Sequence, residues 1–180
     1  AGDTDIVVRM GLAANLQTTT EVLAKLAEDI LPVRRRAAVN PNMSPPILAT
    51  LAGDADAQVR HGVARNVSTP PPSLEKLALD VVEAVRVVVA NNPNTPQGAL
   101  TILATDTSFV ARQKVAGNGN TPRLMLLRLA SDSVSVVRRA VSVNASAPKK
   151  ALEKLSYDGE KDIRQVARGR LAKILQKEIE

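Results

Sequence analysis

Seven arginines set the frame of this chain. Arg9, Arg34, Arg60, Arg86, Arg112, Arg138 and Arg164 stand 25 residues apart once and then 26 apart five times. Six residues after each comes Asn15, Asn40, Asn66, Asn92, Asn118 or Asn144, with Arg170 in the last copy. Leucines follow in two further series, Leu23, Leu48, Leu74, Leu100, Leu126 and Leu152, then Leu26, Leu51, Leu77, Leu103, Leu129 and Leu155. Asp29, Asp54, Asp80, Asp106, Asp132 and Asp158 close the copies. Five series in step are not chance. A period of this length means supersecondary units that bury their apolar faces only by stacking on one another.

Within a copy the apolar residues form two short amphipathic segments, neither long enough to be a stable helix alone. Val85, Val89 and Ala90 mark the first, Leu100, Leu103 and Ala104 the second. Thr95-Pro96, repeated as Thr69-Pro70 and Thr121-Pro122, reads as a start for the second helix, with Thr as cap and Pro in the first turn. Asn92-Pro93 reads as the break that ends the first. The expected fold is all-α, an α-solenoid of six to seven 26-residue two-helix repeats, spanning roughly 5–29, 30–54, 55–80, 81–106, 107–132 and 133–158. Residues 159–180 read as a C-terminal cap, and the first copy, with Leu16 and Thr18-Thr19 in place of Pro and Thr-Pro, as its N-terminal counterpart. No linker interrupts the frame, so one domain, 1–180, is expected.

Composition narrows the chemistry. There is no cysteine and no Trp, and Phe109 and Tyr157 are the only aromatic residues, so the interior is built of Leu, Val, Ile and Ala. Disulfides, thiolate metal sites and cysteine nucleophiles are excluded, no cofactor is expected, and a cytoplasmic location fits. The opening AGDTDIVVRM lacks the basic start and apolar run of a signal peptide, and no window approaches the ~18 apolar residues of a membrane span. The net charge is +6, and its excess is central: ten Lys or Arg against three Asp or Glu between Arg86 and Lys154.

The pattern Val-Arg, Val-Ala, Asn-Pro, Thr-Pro, Leu, Leu-Ala, Asp closely resembles the leucine-rich repeat variant family, a relative of HEAT-like repeats, across nearly the whole chain. The resemblance implies a right-handed superhelix in which an α-helix alternates with a 3₁₀-helix. It implies no common activity. The cysteine-bound iron–sulfur cluster of some members is not carried over, because the cysteines are absent.

Three constellations stand out. The column Arg34, Arg60, Arg86, Arg112, Arg138 and Arg164 could track phosphates; the expected reading is a structural ladder in which each Arg meets the preceding Asp (Asp54, Asp80, Asp106, Asp132, Asp158) or helix-end carbonyls of a neighbouring copy. Basic residues outside that register, Arg35, Arg36, Arg65, Lys114, Arg123, Arg128, Arg139, Lys149 and Lys150, are candidates for nucleic-acid or anion binding if they share a face. Val87, Val88, Ile102, Leu124 and Leu127 are apolar where other copies are polar or small, and are candidates for a protein contact. His61, beside Gly62 on an expected surface turn, reads as a bystander, and Gly117-Asn118-Gly119 as a widened turn. No catalytic triad, metal cluster or phosphate loop is spelled out, so the chain reads as a non-enzymatic scaffold that binds a protein. Sequence-independent nucleic-acid binding is the alternative.

Overall fold

The computed structural model describes residues 2–177, the side chain of Lys177 excepted. Thirteen α-helices and no strands are present among the described residues. The chain divides into two compact units, Ala1–Pro96 and Gln97–Glu180, where one domain was expected. The division falls at a repeat turn inside the fourth copy. In a stack each copy touches only its neighbours, so every turn is a possible boundary and none needs a linker.

The first unit holds α1 (Ile6–Ala14), α2 (Thr20–Ala27), α3 (Leu31–Ala38), α4 (Pro45–Leu51), α5 (Ala57–Arg65), α6 (Pro71–Leu77) and α7 (Glu83–Asn91). The second holds α8 (Gln97–Leu103), α9 (Phe109–Gly117), α10 (Arg123–Leu129), α11 (Ser135–Val143), α12 (Lys149–Leu155) and α13 (Lys161–Lys177). Odd-numbered helices are the first of each copy and form one row in each unit; even-numbered helices form the other. The core lies between the rows. Both leucine series are buried throughout, against a facing column of Val33, Val59, Val85, Ala111, Val137 and Ile163, each fully buried.

Both helices of each copy are α-helical, where the resemblance implied that one of the two would be a 3₁₀-helix. The shorter second helix comes nearest to it. It borrows 3₁₀-type bonds at its ends: around α6, Ser73 N donates to Pro70 O at 2.9 Å and Leu79 N to Lys76 O at 3.2 Å, while Ala78 N keeps the α-type bond to Leu74 O. Seven residues leave little room for anything but ends.

Two of the turn readings are corrected by the geometry. Thr69 and Thr121 do not cap their second helices; Pro70 and Pro122 occupy that position, and Thr19, which holds it at α2, makes no side-chain cap bond either. The Oγ1 atoms of Thr18, Thr69, Thr95 and Thr121 instead donate back six residues to Leu12, Val63, Val89 and Val115 carbonyls at 2.5–2.6 Å, closing the end of the first helix. The first helix does end at Asn92-Pro93, with Asn92 as its extended cap, but the proline is not what ends it. Asn15, Asn66, Asn118 and Asn144 take the same extended backbone as Asn92 although Leu, Val, Gly and Ala follow them. Asn Oδ1 accepts the amide two residues on, as Ser68 N does to Asn66 at 2.9 Å and Ser146 N to Asn144 at 2.8 Å. This Asx turn diverts the backbone without help from Pro.

The same asparagine rivets copies together. Asn66 Nδ2 donates to Ala38 O at 3.2 Å and Asn40 O at 2.8 Å in the preceding copy, Asn92 Nδ2 to Ala64 O and Asn66 O, and Asn144 Nδ2 to Ala116 O and Asn118 O. Where α13 runs on without a turn, Arg170 reaches the equivalent carbonyls, Ser142 O at 2.7 Å and Asn144 O at 2.8 Å. The last copy thus replaces the rivet with a longer one.

The first copy is not the polar cap expected of it. Val8 belongs to the buried valine column yet is 43% exposed, Val7 is 71% exposed, and Arg9 is the only charged residue of α1. Nothing among the described residues lies where later copies receive the preceding helix. Gly117-Asn118-Gly119 is an ordinary copy of the Asn turn, with Asn118 capping α9 and no positive φ among the described residues. His61 and Gly62 lie within α5, not on a turn. Gly62 is buried against the preceding copy, so closely that a Cβ there would stand 3.1 Å from that of Ala38 and 3.0 Å from Val39 Cγ1.

Candidate functional site

The arginine column forms the most regular polar structure in the molecule. Arg60 Nε and Nη2 donate to the two carboxylate oxygens of Asp80 at 2.6 and 3.0 Å. Arg112 grips Asp132 and Arg138 grips Asp158 in the same way, and Arg9 and Arg34 reach Asp29 and Asp54. The carboxylate partner is therefore the Asp that follows by twenty residues. The preceding Asp supplies its backbone instead: Arg86 Nη1 donates to Asp80 O at 2.8 Å, Arg112 Nη1 to Asp106 O at 2.7 Å, and Arg164 Nη1 to Asp158 O and Gly159 O.

Asp Oδ1 has a second duty, accepting the amide two residues on: Asp54 from Asp56, Asp80 from Val82, Asp106 from Ser108, Asp132 from Val134 and Asp158 from Glu160. Burial pushes the Asp80 and Asp132 carboxyls up, but the hydrogen bonds from Arg60 and Arg112 and these amides outweigh it and hold both below the ordinary carboxylate range. Asp158 is lowered chiefly by Arg138. Oxygens so occupied are poor general bases, and guanidiniums so occupied are poor phosphate ligands. Shallow grooves border the ladder, one of about 480 Å3 over Asp54, Arg60 and Asp80 and one of about 360 Å3 over Asp106, Arg112, Arg128 and Asp132.

The nine basic residues outside the register do not share one face. Arg35, Arg36, Arg65, Lys114 and Arg139 stand on first helices; Arg123, Arg128, Lys149 and Lys150 stand on second helices, across the core. The first three belong to one unit and the other six to the other. Arg35 is held by Asp56 at 2.6 Å and Arg139 by Asp162 at 2.8 Å, and the Arg35 bonds lower Asp56 to about 2. Arg65 borders a groove with Val39, Pro41 and Val67.

The apolar candidates divide as well. Val87 and Val88 are half-buried on α7 in the first unit, whereas Ile102, Leu124 and Leu127 lie on α8 and α10 in the second, Leu124 being 67% exposed. Lys154, passed over in the sequence, holds the register position of Arg128 one copy on; comparing positions across copies would have found it. No helix among the described residues is long and apolar enough to cross a membrane.

No protein-family model and no curated protein matches the chain. Among solved structures it is similar to a leucine-rich repeat variant described as having a novel repetitive structural motif, at 29% identity and a TM-score of 0.69, over 94% of this chain and 68% of that one. Repeat pattern, paired helices and structural likeness agree, and the fold of this chain is that of the leucine-rich repeat variant family.

Proposed function

We propose that the chain is a non-enzymatic scaffold that binds another protein through side chains displayed on its helix rows, in the cytoplasm. One observation carries this reading: the arginines and aspartates that recur in every copy are spent on each other and on backbone groups, as in the Arg60–Asp80 pair with its Asp54 and Ala55 carbonyls. Recurring charge holds the stack, and what distinguishes one copy from another is left for recognition. The alternative, binding along a nucleic-acid backbone, draws on the surplus of cations on α10 and α12. Only Phe109 and Tyr157, 47% and 84% exposed, are offered as aromatic platforms for bases, and so few count against single-strand stacking.

Two measurements test the reading. A displayed library of random peptides is selected against the folded chain and counter-selected against the heat-denatured chain. Peptides that bind only the folded form support it, and a selection that yields none overturns it. Titration with generic duplex DNA at low salt is the second. Binding that collapses steeply as salt is raised would transfer the function to phosphate contacts.

A further inference from the structure

We infer that the exposed face of α8, α10 and α12 is a docking site for an acidic protein segment anchored by leucine-like side chains. The inference rests on the protein-binding reading above. It starts from the second and sixth positions of each short helix, which lie four residues apart and so share one helix face. In the second unit these positions hold Gly98 and Ile102, then Leu124 and Arg128, then Lys150 and Lys154. All six are exposed. The face passes from apolar on α8, through mixed on α10, to basic on α12.

The gradient is not a property of the repeat. In the first unit the same positions hold Glu21 and Lys25, Pro46 and Thr50, and Pro72 and Lys76. There the three second helices carry two cations and two anions, a balanced surface. In the second unit they carry five Lys or Arg against Glu153 alone. The side chains of Arg128, Lys150 and Lys154 make no hydrogen bond or ion pair among the described residues. Four surplus positive charges beside Ile102 and Leu124, 42% and 67% exposed, fit carboxylates and an apolar anchor together. A nucleic-acid backbone would use the cations and leave both apolar side chains in water.

The geometry sets the size of the occupant. α8 and α10 both pack on α9, and α10 packs on α12. With neighbouring helices roughly 10 Å apart, three span about 20 Å, which an extended segment of about six residues crosses. Its apolar side chains meet the α8–α10 end, its carboxylates the α10–α12 end.

The test is fluorescence anisotropy with labelled octapeptides: two leucines, two glycines and four glutamates in blocks, the reversed order, and the same residues alternated. One block peptide is expected to bind about tenfold more tightly than the alternated one. Leu124→Ser, and separately Lys150→Glu with Lys154→Glu, should each weaken it about tenfold, while Lys76→Glu in the other unit leaves it unchanged. All four positions are exposed, and melting curves check that each variant is folded. Equal binding of block and alternated peptides overturns the proposal, as does binding indifferent to Leu124→Ser. Tighter, salt-sensitive binding of a short duplex DNA, untouched by Leu124→Ser, overturns it in favour of phosphate. If display-selected peptides bind but ignore these substitutions, the docking face falls and the scaffold reading stands.

Discussion

Arg60 holds both carboxylate oxygens of Asp80, twenty residues ahead, at 2.6 and 3.0 Å, and with Nη1 reaches back to the carbonyls of Asp54 and Ala55 at 2.9 and 3.0 Å. One side chain thereby ties the end of one copy to the start of the same copy and to the turn before it. The Asp80 side chain is only 5% exposed. Arg60→Met should therefore strand a nearly buried carboxylate and cost about 1–3 kcal/mol of stability, read as a lower urea midpoint. Arg35→Met, which breaks the exposed pair with Asp56, should leave that midpoint within error. Equal losses from the two would show that the ladder adds nothing beyond surface pairing.

Acid should act through the same carboxylates. Asp80, Asp132 and Asp158 all stand below their ordinary value in the folded chain. A carboxylate whose folded pKa is depressed contributes fully above its unfolded value, about 3.9, and loses that contribution as pH falls through the folded value. Stability should be flat between about pH 5 and 7 and fall from about pH 4 downward. Asp80→Asn with Asp132→Asn should start lower at neutral pH and decline less steeply in acid. A decline as steep as the parent's would acquit these two groups.

Asn66 makes two bonds to the preceding copy and lies 5% exposed. Asn66→Ala leaves the carbonyls of Ala38 and Asn40 without these donors and should cost about 1–3 kcal/mol. Thr69→Val should cost less, since the same position accepts buried Met43 in another copy. Thermal melts of the two variants give the order, and the reverse order would remove the asparagine from its role as rivet.

Val8 and Val59 are the same letter of the repeat under different cover, 43% and 0% exposed. Val59→Ala should cost about 1.5–3 kcal/mol in lost burial and residual cavity. Val8→Ala should stay within about 0.5 kcal/mol. Similar losses would mean that α1 is covered in solution, which sedimentation would then reveal as self-association.

The sequence by itself determined the period, the two helices per copy, the buried leucine and valine columns and the pairing of Arg with Asp as residue types, because each depends on local periodicity or recurs in register. It did not reveal which Asp each Arg meets. A guanidinium in the first turn can reach backward or forward, and only the packed copy places Asp80 within 2.6 Å of Arg60 while turning the Asp54 carbonyl toward Nη1. Nor did it show that Asn66 ends its helix and bonds two carbonyls more than twenty-five residues away. Those bonds exist only once the preceding copy is beside it. The candidate face divides in the same way. That Leu124 and Lys150 depart from the repeat is legible in the letters, but that Arg35 is engaged by Asp56, that the basic residues lie on two opposite rows, and that Val87 is half-buried while Leu124 stands in water followed only from stacking. Exposure is a property of neighbours, and in a repeat array the neighbours come from the tertiary structure.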